Sequence, residues 1–361
     1  MSLCGGAYCA AYTIDGQRFR AVLDTGSPFL LVDGTCAAGE KSPWGCYRGQ
    51  ARPSGLGDTD ELYGGEDVSV EWRRGSFIFE QIKVDDELRL TAAFPDAVFG
   101  VVRGYVGKGG GGAIFLGLCK QRLPRIRPSL LEQTDIASMR FDFYGRRLEL
   151  SRSSLIPSSS DAVRLIDLRP RGAPVANFAA RCSSLVINNQ KIQLPFGKKI
   201  VVVVDTGTTG ISVDERLFES LPIRWLDASI ELPTENGDSL TLSASVRRRQ
   251  RKSSSKDGGS SQAQAERSIP IDAEEFDEFP LVVSPITVPW FDPGFGEQEC
   301  ADNSGLQCNG RPLGAPKPLI DRIKARADGL GDAPYVLFVG LAFLWKRTLT
   351  IDVDARRMTV A

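Results

Sequence analysis

Two short segments carry the residues best suited to chemistry. The first reads Phe19-Arg-Ala-Val-Leu-Asp24-Thr25-Gly26-Ser27, and the second Ile200-Val-Val-Val-Val-Asp205-Thr206-Gly207-Thr208. In each, an apolar run delivers an aspartate to a turn where its charge is costly to desolvate. Gly26 and Gly207 let main-chain N–H groups approach the carboxylate closely, and the hydroxyls of Ser27 and Thr208 are placed to donate to it. If the two turns meet, carboxylates about 3 Å apart cannot both ionise and must share a proton. One then acts as base and the other as acid at the same pH. Asp-Thr-Gly followed by Ser or Thr is an ordinary turn, expected by composition in roughly one chain per hundred. Two copies, each behind an apolar run, are about a hundredfold rarer by chance and read as an internal duplication.

The rest of the composition narrows the chemistry further. The chain has 361 residues and no histidine, which removes Ser-His-Asp and Cys-His nucleophilic systems and HExxH zinc sites. Acid–base work then falls to carboxylates, Tyr, Lys or Cys. Net charge is −1, from 44 basic and 45 acidic residues, which gives no electrostatic reason to expect nucleic acid or an anionic membrane. The glycines of GKGGGGAIF lack a Lys-Ser/Thr at phosphate-loop spacing and read as a loop. Asp85, Asp86 and Glu87 read as a solvated turn rather than a metal site. No metal or cofactor is expected.

The elements that must position the two turns are mostly strands. Short apolar or alternating runs recur at 19–23, 66–72, 76–82, 97–102, 114–118 and 139–144, and again at 184–187, 200–204, 240–246, 281–283, 335–339 and 349–353. These lengths, punctuated by Gly and Asp-Gly turns, predict an all-β protein with few short helices. Two helices are expected, at 213–221 behind a Ser212/Glu215 capping pair and at 128–137. The length suits two domains, with a junction in SRSSLIPSSSD, at 151–161, giving units 1–155 and 156–361. The segment 247–268, RRRQRKSSSKDGGSSQAQAERS, has no apolar residue larger than Ala and is expected to be a disordered insertion.

The eight cysteines include three pairs close in sequence: Cys4 with Cys9, Cys36 with Cys46, and Cys300 with Cys308. At least one local disulfide is expected, which suits an oxidising compartment. No apolar run is long enough to cross a membrane. The opening MSLCGGAYCAAYTIDGQRF has neither a basic n-region nor a sustained apolar h-region, so no signal peptide is expected in it.

Over nearly its whole length the chain resembles the pepsin-like aspartic peptidases. The resemblance rests on the two Asp-Thr-Gly motifs, 181 residues apart, and on Tyr63-Gly64-Gly65, where the family has a flap hairpin over the cleft. It rests also on two apolar-apolar-Gly stretches, Ala97-Val98-Phe99-Gly100 and Leu337-Phe338-Val339-Gly340, where the family has in each lobe a strand supporting the catalytic loop, and on the closing segment from Gly340 to Asp354. The chain departs from the pattern in lacking a Trp in PFLLVDG, in having Leu341 after Gly340, in its YGGED flap and in the 247–268 insertion.

The resemblance implies a bilobal fold with a central cleft, with one motif in each lobe. It implies an endopeptidase working in acid, with Asp24 and Asp205 as the catalytic pair. Thr25 and Thr206 become buried braces, Gly26, Ser27, Gly207 and Thr208 supports of the carboxylates, and Tyr63, Gly64 and Gly65 the flap. The expected partner is a protein or peptide in extended conformation bound to a monomer, in the secretory pathway, outside the cell or in an acidic vacuole. The alternative is a catalytically inactive module of the same kind that binds or inhibits.

Overall fold

The computed structural model describes residues 1–4, 6–37, 42–63, 66–79, 93–106, 114–120, 128–171, 173, 175–195, 198–222, 224–246, 279, 281–286, 288 and 334–361. The protein is all-β, with four sheets among these residues and two four-residue helices, Glu215–Phe218 and Leu341–Leu344. The expectations for 247–268, Asp85–Glu87, the Gly109–Gly112 run, Cys300 with Cys308, and Gly64 and Gly65 lie outside the described residues.

The duplication read from the two motifs extends to the sheets. The strand Gln17–Asp24 pairs antiparallel with Ala7–Ile14 on one side and parallel with Phe115–Gly117 on the other. The strand Ile200–Val204 likewise pairs antiparallel with Ala179–Cys182 and parallel with Tyr335–Val339. Beyond each Asp turn the chain returns antiparallel to that same parallel partner, through Leu30 opposite Leu116 and through Ile211 opposite Val339. It then meets one more parallel neighbour, Leu31–Asp33 against Gly100–Val102 and Ile211–Asp214 against Val283–Ile286. Every residue of Ile200–Val204 is buried, as expected for a β-branched run sandwiched on both faces.

This pairing corrects the assignment of the first apolar-apolar-Gly stretch. Val98-Phe99-Gly100 lies in the long strand Ala93–Val106 and does not flank the Asp24 strand. The counterpart of Val339-Gly340 is Leu116-Gly117, which does. Both stretches have the same residue pattern, and only three-dimensional pairing distinguishes them.

A helix does form within 213–221, shortened to Glu215–Phe218, whereas the helix expected at 128–137 does not. Ser212 belongs to a strand opposite Phe338 and Ser284, and the helix after it is capped by Asp214, whose side chain accepts from Arg216 N. At 128–137 only a 3-10 turn forms, Leu131–Gln133. It carries a reciprocal capping box, Ser129 N to Glu132 Oε2 at 2.7 Å and Glu132 N to Ser129 Oγ at 3.2 Å. Ala137 is already drawn into strand pairing through Ser151 O and Val353 N. The run predicted at 66–72 and the described part of that at 76–82, up to Phe79, form a single strand, Glu66–Phe79, with irregularities at Ser69/Val70 and Gly75/Phe77; residues 80–82 lie outside the described residues.

The two halves of the chain share a sheet. Ser138–Asp142 pairs with Thr348–Asp352 along its length, flanked by Arg147–Ser151 on one side and by Arg357–Val360 and Val163–Arg164 on the other. One apolar core runs through both halves, joining Tyr8, Met139 and Phe141 to Phe343, Leu349 and Ile351. Cys4 with Cys9 and Cys36 with Cys46 form disulfides, with Cα separations of 6.0 and 6.1 Å, inside the usual range. Cys182 forms no disulfide among the described residues. No helix among the described residues is long and apolar enough to cross a membrane.

Gly117 and Gly340 are two of the positions where the fold has no room for a side chain. A Cβ on Gly117 would fall on the backbone of Pro28 and Phe29, and one on Gly340 on the carbonyl of Thr208. We expect Gly340→Ala and Gly117→Ala each to cost about 1–3 kcal/mol or more through overpacking. Gly57→Ala, where an added Cβ meets nothing, should stay within about 0.5 kcal/mol of the parent. Urea unfolding of the three variants measures this.

Candidate active site

Each motif reaches the site on a strand held from below. Leu118 N donates to Asp24 O at 2.7 Å, Gly117 N to Phe29 O at 2.7 Å and Cys119 N to Ser27 O at 3.2 Å. In the second copy Gly340 N donates to Gly210 O at 2.8 Å, Leu341 N to Thr208 O at 2.9 Å and Ala342 N to Thr209 O at 2.8 Å. Support of this kind explains how two aspartates come to rest inside the protein rather than at its surface. Gly117 is the supporting residue that sequence reasoning missed; its signal was the Phe115-Leu116-Gly117 run, which matches the Phe338-Val339-Gly340 run equally well.

The two turns meet. A Cβ on Gly26 would lie 2.6 Å from the Asp205 carboxyl, and one on Gly207 2.6 Å from Asp24 Oδ1. Each glycine therefore makes room for the carboxyl group of the opposite copy. Each also serves its own, with Gly26 N donating to Asp24 Oδ1 at 2.7 Å and Gly207 N to Asp205 Oδ1 at 2.8 Å. The two carboxyl groups are neighbours, since the same Cβ on Gly207 would lie 2.6 Å from Asp24 Oδ1 and 3.2 Å from Asp205 Oδ1. Burial, then the charge and hydrogen-bonding capacity of the neighbouring Asp205, push the Asp24 carboxyl well above the ordinary carboxylate range, against the smaller pull of Ser27 and Gly26.

The copies are not equivalent. Asp24 is buried, whereas Asp205 is partly open to solvent. Thr208 Oγ1 donates a 2.8 Å bond to Asp205 Oδ2. Ser27 Oγ is buried without a hydrogen bond of ordinary geometry, and its proximity gives Asp24 only a weak stabilisation of the anion. Two good donors favour charge on Asp205, and burial disfavours it on Asp24. Burial and the neighbouring Asp205 charge thus both favour the protonated form of Asp24.

Beneath the carboxyls Thr25 and Thr206 cross-brace the turns. Thr206 N donates to Thr25 Oγ1 at 3.0 Å and Thr25 N to Thr206 Oγ1 at 3.2 Å. Each hydroxyl then donates to the opposite strand, Thr25 Oγ1 to Val204 O at 2.8 Å and Thr206 Oγ1 to Leu23 O at 2.6 Å. Both side chains are fully enclosed. Cys119 Sγ adds a weak bond to Thr25 O at 3.1 Å.

Of the predicted site residues, Asp24, Thr25, Gly26, Ser27, Asp205, Thr206, Gly207 and Thr208 thus come together. Tyr63 ends the strand Thr59–Tyr63, opposite Glu66 in an antiparallel hairpin. No family model matches the chain, and no curated protein matches it. The chemistry therefore rests on the geometry: two adjacent carboxyl groups in unequal surroundings.

Two outcomes follow from the burial. Thr25→Val leaves the Thr206 N–H without its acceptor and Val204 O without its donor, and should cost about 2–4 kcal/mol, whereas Thr25→Ser should cost less than half of that. The Asp24 carboxyl holds its proton more tightly when folded than when unfolded, so the folded state binds more protons above the unfolded value of 3.8. Stability is therefore lost as pH rises from there towards the folded value. Asp24→Asn, an isostere of the protonated acid, escapes this loss. It should match the parent below about pH 3.8 and exceed its stability at pH 7. Equal pH slopes in denaturant melts of the two proteins would contradict the assignment.

Proposed function

We propose that the protein is an aspartic endopeptidase of the pepsin-like, bilobal kind, with lobes at 1–155 and 156–361. The observation that carries this reading is the pair of adjacent carboxyl groups, Asp24 and Asp205, on duplicated and cross-braced Asp-Thr-Gly turns. A water held between them is the nucleophile. Asp205 takes a proton from the water as its oxygen bonds to the scissile carbonyl carbon, and Asp24 gives its proton to the carbonyl oxygen. In the resulting gem-diol, Asp205 returns the proton to the amide nitrogen. The C–N bond breaks as Asp24 recovers a proton from a hydroxyl, which restores the starting state. The reaction needs no covalent enzyme intermediate.

The substrate is a protein or peptide bound in extended form, beneath the hairpin that ends at Tyr63. Two local disulfides fit an oxidising, secretory or lumenal setting, and an acid-working dyad fits an acidic one.

Peptide turnover across pH is the test. Activity needs the singly protonated pair, so kcat/KM should be bell-shaped with its peak in acid, at roughly pH 3 to 5. The alkaline limb follows loss of the proton held on Asp24, and with no histidine in the chain no imidazole contributes a limb. Asp24→Asn and Asp205→Asn should each lower kcat by about a thousandfold or more in folded protein. Losses below about tenfold, or a peak at pH 8, would overturn the reading. Tight binding of a statine-type peptide without turnover would favour the inactive binding module instead.

A further inference from the structure

Apart from the main core, the described residues hold a separate apolar cluster of Leu31, Val70, Trp72, Val98 and their neighbours, with Phe29 packed against it. It lies where three parts of the chain meet: the segment just past the Asp24 turn, the Thr59–Tyr63/Glu66–Phe79 hairpin, and the strand Ala93–Val106. Trp72 is its largest member and is buried. Its indole N–H donates to Thr59 Oγ1 at 2.9 Å, and that hydroxyl donates in turn to Glu61 Oε1 at 2.7 Å. The indole therefore ties the two strands of the hairpin together at their base.

On its other side the indole reaches the catalytic turn. Its ring lies 6.1 Å from that of Phe29, and Phe29 O accepts from Gly117 N, in the strand beneath Asp24. Gly100 stands opposite Trp72 in the sheet, and a Cβ there would press within 2.5 Å of both Leu31 and Val70 and within 3.3 Å of the indole. The missing side chain lets Trp72 and Leu31 close on each other. From Thr59 to Tyr63 the hairpin extends by about 13 Å, at about 3.3 Å per residue. A tilt of about 5° at the base would move its far end by about 1 Å, enough to matter for substrate placement.

We infer that Trp72, through Thr59 and Phe29, is the positioning residue that sets this hairpin against the Asp24 turn and so governs peptide affinity without touching the reacting atoms. The inference rests on the peptidase reading for its effect on substrate, but the anchor itself is measurable without turnover. Hydrogen–deuterium exchange of residues 59–63 in the full chain is compared for Trp72→Phe, which keeps a ring and loses the N–H, and for Thr59→Val and Thr59→Ser. Trp72→Phe and Thr59→Val should speed exchange by about five- to tenfold, the scale of one net hydrogen bond, while Thr59→Ser stays close to the parent. On a peptide substrate the first two should raise KM by about three- to tenfold, with kcat within about twofold of the parent.

Unchanged exchange in both variants overturns the anchor, whether or not any peptide is cleaved. Faster exchange with an unmoved KM, or with a fall in kcat alone, overturns the positioning role and leaves the peptidase reading intact. No turnover by the parent protein overturns the substrate role together with the proposed function. If Trp72→Phe does not fold, the two Thr59 variants decide the matter alone.

Discussion

Two carboxyl groups buried against each other repel when both are charged, and either is costly to ionise away from water. The rest of this structure is arranged around that constraint. Left to themselves the two turns would separate or open to solvent. The threonine cross-brace prevents it, because each hydroxyl both accepts from the facing turn and donates to the facing strand. Four bonds in a fully enclosed place leave no polar atom of the brace unpaired, which is the condition under which buried polar groups stabilise rather than cost.

The duplicated sheets serve this brace. Each turn is suspended between its own strand and a parallel partner, and the glycine ending that partner, Gly117 or Gly340, lets the backbone of the turn settle directly onto it. The symmetry stops at the carboxyl groups. Asp205 has two well-formed donors and partial access to solvent, whereas Asp24 is enclosed with one strong donor. Two identical side chains are thus given different surroundings, the arrangement that the proposed acid–base pair needs.

Beneath the site the halves are joined by more than the brace. The strand Ser138–Asp142 of the first half is paired for its full length with Thr348–Asp352 of the second, and Lys120, one residue past the support of the first turn, bonds to Asp354 Oδ1 at 2.9 Å. The relative placement of the two aspartates is therefore fixed from below, by backbone pairing, as well as between the turns. The hairpin ending at Tyr63 depends instead on a small separate cluster, so its position answers to a few side chains around Trp72.

The chain's own order of residues determined much of this. Repeated Asp-Thr-Gly turns behind apolar runs identified the two carboxylates and their hydroxyl and glycine neighbours, because those needs are local: a buried strand end, a tight turn, a donor within three residues. Alternating apolar patterns identified the strands for the same reason, since side-chain periodicity is a property of the strand itself. The tertiary structure alone decided which apolar-apolar-Gly run supports Asp24, that Ser212 pairs in a sheet instead of capping a helix, and that Asp24 is the more enclosed of the two carboxyl groups. Each of these depends on a partner far away in sequence, Phe29 with Gly117, Ser212 with Phe338, Asp24 with Asp205, and long-range pairing leaves no mark in a local pattern.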